Sequence, residues 1–125
     1  MRFLAVLMGL WLMSVVNVVA APRLDERRRV GVISAFEPEW EALISRLEAP
    51  KTYGVNGMKF VTGTLEGKPV VLTMSSMSMV NATMNAQILI DRFQVTRIVF
   101  SGIAGGIDPS LRIGDVVAPA RWARR

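Results

Sequence analysis

Cysteine and histidine are both absent from the 125 residues. Without cysteine the chain forms neither a disulfide nor a thiolate metal site. Without histidine it lacks the commonest general base and the commonest metal ligand, so acid–base work falls to aspartate and glutamate. No metal and no cofactor are expected. Two phosphate-cradling motifs are missing as well. There is no G-x-x-x-x-G-K-[ST] loop. The glycine-rich stretch GIAGG, residues 102–106, lacks the G-x-G-x-x-G spacing and runs into IDPS rather than a helix start, which disfavours a dinucleotide site. Neither an internal repeat nor a low-complexity segment is present.

The net charge of +5 is unevenly placed. Arg23, Arg27, Arg28 and Arg29 cluster near the start, and Arg121, Arg124 and Arg125 near the end. Both clusters read as solvated tails, so no nucleic acid is expected as a partner. Residues 1–20 carry one early arginine, an unbroken apolar run and small residues at the exit, the layout of a signal peptide cleaved between Ala20 and Ala21. The run is also nearly long enough for a membrane anchor, but the small residues and the polar RLDERRR that follow favour cleavage. The expected organisation is a signal peptide over 1–20, a basic linker over 21–29 and a partial domain over 30–125. It implies export to the periplasm or beyond, with no membrane association after cleavage.

Within the domain, VGVISAF (30–36) reads as a buried strand. EPEWEALISRLEAP (37–50) follows, with Trp40, Leu43, Ile44 and Leu47 forming one apolar helix stripe and Pro50 marking the exit. Residues 52–74 read as β-structure, within which MKFVTGTLEGKPVVLTM gives two strands joined at Glu66-Gly67-Lys68. Ser78 is placed to cap a helix from Met79 to Phe93, with Ala82, Ala86, Leu89 and Phe93 on one face. A buried strand over 97–101 enters the glycine turn, and a second apolar run, 115–118, follows. The order β-α-β-β-α-β-β implies an α/β sheet with helices on its faces. A last strand with no helix to cover it reads as part of a larger domain.

Three groups of residues carry candidate chemistry. The GIAGG turn is either a tight chain reversal or a place where backbone N–H groups approach a ligand at the strand's carboxyl end. Glu39, in the first turn of the first helix, is either a helix-start acid or a general base at that same sheet edge. Ser75, Ser76 and Ser78 offer hydroxyls to a sugar or a water, or cap and link the following helix. Methionines 74, 77, 79 and 84 either wall a pocket for a flat base or thioether or fill core space.

Together these segments resemble the nucleoside phosphorylase/nucleosidase superfamily, most closely the 5′-methylthioadenosine/S-adenosylhomocysteine nucleosidases. VGVISAFEPEWEAL, VTGTLEGKPVVL, SSMSMVNATMNAQILIDRF and IVFSGIAGGIDPSLRIGDVVAP match in order. The resemblance implies the N-terminal half of that family's three-layer α/β fold, with a mixed central sheet flanked by helices. It implies hydrolysis of a purine nucleoside's N-glycosidic bond, in a truncated and even inactive form. Glu39 matches the glutamate that activates the attacking water. Ser75, with Ser76 and Met77, matches the segment on the sugar and water side. Ile103, Ala104 and Gly105 match the turn beside the purine, and Ala35 is counted among the substrate-lining positions. The chain departs from the family at Ser76 and Ser78, where glycines are common, and at Ile103, where a serine is. Arginines that hold phosphate in phosphorolytic relatives are missing, which makes water the expected nucleophile. Neither the ribose-binding glutamate nor the aspartate that protonates the base has a counterpart here; Asp91, Asp108 and Asp115 do not match it. The expected partner is a small nucleoside, in a homo-oligomer when the full domain is present. The alternative on the same fold is an exported nucleoside-binding or storage protein without catalysis.

Overall fold

The computed structural model describes residues 21–123, so the expected signal peptide lies outside the described residues. Five strands and two helices follow one another: β1 (Asp25–Ser34), α1 (Glu37–Ile44), β2 (Glu48–Val55), β3 (Met58–Leu65), β4 (Lys68–Met74), α2 (Met79–Arg92) and β5 (Phe93–Ser101). They form one mixed sheet in the order β2-β3-β4-β1-β5. The β2–β3 and β3–β4 pairs are antiparallel, whereas β1 runs parallel to both neighbours, β4 and β5.

Hairpin chemistry builds the antiparallel half. Asn56-Gly57 and Glu66-Gly67 both turn with two positive φ angles (50° and 77°, 48° and 73°), the twist that joins adjacent strands tightly. Strand alternation then sorts the core onto two faces. Val32, Leu72, Val70 and Val61 pack under Trp40 of α1 and Leu47. Ile33, Val71 and Phe60 pack under Leu89 of α2 and against Phe93. Phe60 and Phe93 stack with ring centres 5.4 Å apart. α2 starts as its sequence predicts, with the Ser78 hydroxyl accepting from the Val80 N–H at 3.1 Å.

The structure departs from the expected elements in five places. β5 starts at Phe93 rather than Arg97, and the stretch read as buried, 97–101, is largely exposed, with Val99 and Phe100 each 51% exposed, because the sheet ends at this strand among the described residues. β1 begins at Asp25, inside the stretch read as a basic linker, because Arg29 is no solvated tail residue. Its guanidinium pairs with Asp25 at 2.7 Å, with both side chains about nine-tenths buried, and donates to the Gly63 carbonyl at 3.0 Å. Neutralised and hydrogen-bonded in this way, the charge is tolerated within the sheet. β2 is an additional strand at the sheet edge, where Pro50 leaves no ladder bond unmade. α1 ends at Ile44 rather than at Pro50, and Leu47 reaches the same apolar face from the turn beyond it. Residues 115–118 form no strand; they are exposed, because no strand runs beside β5 on its outer side among the described residues.

Candidate active site

Parallel pairing brings the carboxyl ends of β4, β1 and β5 level, with Ser34 in register with Met74 on one side and Ser101 on the other. The loops leaving these strands therefore start from one edge, where open α/β sheets bind ligands. Ser34 is the fully buried hub of that edge. Its carbonyl accepts the Ser75 N–H at 2.9 Å, and the buried Ser75 hydroxyl lies 3.0 Å from the Ser76 carbonyl and 3.4 Å from that of Ser34.

Glu39 joins this edge from α1. Phe36 caps the helix without a side-chain hydrogen bond, and Glu39 reaches back so that its Oε2 accepts the Ala35 N–H at 3.1 Å. The bond closes the helix start in the manner of a capping-box acid. It also fixes a half-buried carboxylate whose other oxygen bonds to no protein donor among the described residues. Ala35 is likewise the link to the glycine turn. A methyl built on Gly102 would sit 3.8 Å from the Ala35 Cβ, so the bend after β5 passes beside the residue that holds Glu39.

Ala35, Glu39 and Ser75 are thus gathered around Ser34. Ser76 and Met77 are exposed beyond them, and Ile103, Ala104 and Gly105 are exposed past Gly102. Ser76 holds a left-handed backbone, φ 57°, a conformation that suits glycine and is uncommon for other residues. A cleft of about 450 Å³ opens on the β4 side of the hub, with Ser75 and Ser76 on its rim. Glu39 does not line it; Glu37, Trp40, Lys59 and Asn85 do.

Two polar residues here went unread in the sequence. Ser34 sits in an apolar run, yet its buried Oγ has no hydrogen-bond partner among the described residues, a cost of about 1–3 kcal/mol for such a group. Asn85 is buried in the middle of α2, accepting from the Thr73 hydroxyl at 2.7 Å and donating to the Asn81 carbonyl at 2.8 Å. Its signal is one of position, since it falls on the helix face that also carries Ala82, Ala86 and Leu89.

The model of the phosphorylase superfamily matches residues 29–124. The chain belongs to the phosphorylase superfamily. Among curated members, the 5′-methylthioadenosine/S-adenosylhomocysteine nucleosidase of Shewanella denitrificans is 40% identical over 89 residues, 71% of this chain and 39% of that protein. The enzyme of the same name from Colwellia psychrerythraea is 43% identical over 71% of this chain and 37% of its own length. The solved Colwellia structure, in complex with adenine, superposes with a TM-score of 0.67 at 42% identity, covering 70% of this chain and 36% of that one. The nucleosidase from S. pneumoniae with the transition-state inhibitor MT-ImmA gives a TM-score of 0.67 at 31% identity, over 71% and 38%. This superfamily chain therefore spans well under half the length of the relatives it matches, and aligns with their α/β fold over that part.

Proposed function

We propose that this chain supplies the water-activating part of a purine nucleosidase that hydrolyses an N-glycosidic bond, of the kind named in its relatives. The observation that carries this reading is the Ala35–Glu39 hydrogen bond, formed one residue after the hub serine and beside the bend at Gly102. One carboxylate oxygen is held by the backbone, and the other is left to accept a proton. In the proposed reaction that oxygen orients a water and takes its proton as the water attacks C1′ of an oxocarbenium-like sugar, while the bond to the purine breaks and the base departs with the electron pair. The Ser75–Ser76 segment flanks the sugar, and the Ile103–Gly105 backbone lies along the purine. No phosphate-binding arginine stands at these strand ends, so water is the nucleophile.

Protonation of the departing base is not assigned to the described residues. Asp91 sits on α2 facing Gln87, Asp108 turns onto Ser110, and Asp115 accepts the Arg112 N–H. The test is release of adenine from 5′-methylthioadenosine by the full-length protein and by its Glu39→Gln variant. The expected loss is about 10²–10⁴-fold, the range for removal of a general base, with the circular dichroism spectrum unchanged. Equal rates in the two proteins would remove Glu39 from the reaction.

A further inference from the structure

The amide expected to be cut on export joins Ala20 to Ala21, and the chain just past it is tied to a part of the domain that the hydrolysis does not use. Ala21 lines a notch of about 380 Å³ at the C-terminal end of α2, together with Val55, Asn56, Ile88, Asp91 and Arg92. From there the chain is strapped down at once. Arg92 donates its Nε–H to the Pro22 carbonyl at 2.8 Å, and the Leu24 N–H donates to the Arg92 carbonyl at 2.7 Å. Leu24 packs on the cluster that holds Leu89 and Phe93, and the β1–β5 ladder opens at Asp25 opposite Phe93. Backbone groups are therefore engaged from Pro22 onward.

Recognition of a peptide as an added strand needs its backbone extended and its main-chain groups unengaged. Chain that is hydrogen-bonded to α2 offers neither. From this we infer that Ala20–Ala21 is a processing site for a signal-peptidase-type enzyme, open before the domain folds and closed afterwards by the Arg92 strap. In the cleavage water adds across the amide; the leader leaves with a carboxylate on Ala20, and the domain keeps an ammonium on Ala21. The closing groups come late, since Arg92 lies 70 residues after Pro22. Cleavage thus has the interval before α2 forms and docks. A chain cut in that interval is released, and one that folds first keeps its apolar leader and stays at the membrane. The inference rests on the expected leader and is independent of the nucleosidase reading.

The test is cell-free synthesis of the full-length precursor, with a type I signal peptidase in detergent micelles added either during synthesis or after folding is complete. Intact mass identifies the product. Addition during synthesis is expected to yield the chain that begins at Ala21. Addition after folding is expected to cut at least about tenfold more slowly, because only the opened strap is a substrate. Arg92→Met is expected to speed that late cleavage about fivefold, the population change that loss of one hydrogen bond gives. A flexible Gly-Ser insert after Ala21 carries the bond clear of the strap without touching the domain, and should make the two orders of addition equal. Equal rates in the unmodified precursor, or an insert that leaves late cleavage slow, would overturn the strap as the gate. Absence of the Ala21 product in both orders would overturn the processing site itself.

Discussion

Glu39 and Arg29 show how far a charged residue's meaning depends on its partner. Glu39 is legible from sequence because an acid in the first turn of the helix that follows a strand lands at the sheet's ligand edge whatever else is true of the chain. Arg29 was hidden, since four arginines around 23–29 look like a solvated run until Asp25 is seen to neutralise one of them inside the sheet. Breaking that buried pair is expected to be severe. Arg29→Met strands a carboxylate, and a chemical-denaturation series should show a loss of about 3–5 kcal/mol, while Asp25→Ala with Arg29→Met should cost less than the sum of the singles. Ser34 was unreadable for the opposite reason, because one buried hydroxyl in an apolar run leaves no periodic trace, and Asn85 was marked only by its place on the apolar face of α2. At the exposed end of the chain, Asp108 is held below its ordinary value of 3.8 by the side-chain hydrogen bond from Ser110, then by the Ser110 backbone N–H, against a small opposing effect of burial. The folded value being depressed, the turn's stabilisation is present above pH 3.8 and is lost as pH falls through the lower folded value. In an NMR titration the Ser110 amide should move with Asp108, and Ser110→Ala should bring the midpoint back up.

The β3–β4 hairpin, α2 and the strand before the glycine turn were visible as elements because each has its own periodicity and punctuation. β2 was legible only as β-character from residue 52 and not as a strand of its own, since EAPKTYGV has a proline and little apolar alternation and exists as a strand by pairing with β3. Gly63 shows how tightly that half is assembled. A Cβ there would lie 2.5 Å from the Leu47 side chain and 2.7 Å from the Glu48 carbonyl, so the chain leaving α1 crosses directly over β3. Gly63→Ala is expected to lower stability by about 1–3 kcal/mol, read as a drop in thermal midpoint, because backbone rather than a side-chain tip must move. Gly54→Ala, with open space around the new methyl, serves as the control and should shift it far less.

At the scale of the molecule, the α/β class and the mixed sheet follow from the order of the elements, whereas the fate of residues 102–123 does not. A strand needs a neighbour, and the apolar run 115–118 has none among the described residues. The outer edge of β5 is consequently unpaired, with Val99 and Phe100 each 51% exposed along it. Open apolar edges recruit further chains. Sedimentation of the 125-residue chain should show association that grows with concentration, and Val99→Lys should weaken it; a monomer at all concentrations would contradict this. The parallel pairing of β1 has a consequence of another kind. β1 leaves the ribosome before either strand that flanks it, since Val30 finds one ladder partner in Val70 and the other in Arg97. The nascent polypeptide thus carries this segment unclad until β5 has been made, and any chaperone that guards this protein must act on VGVIS before both flanking strands exist to enclose it.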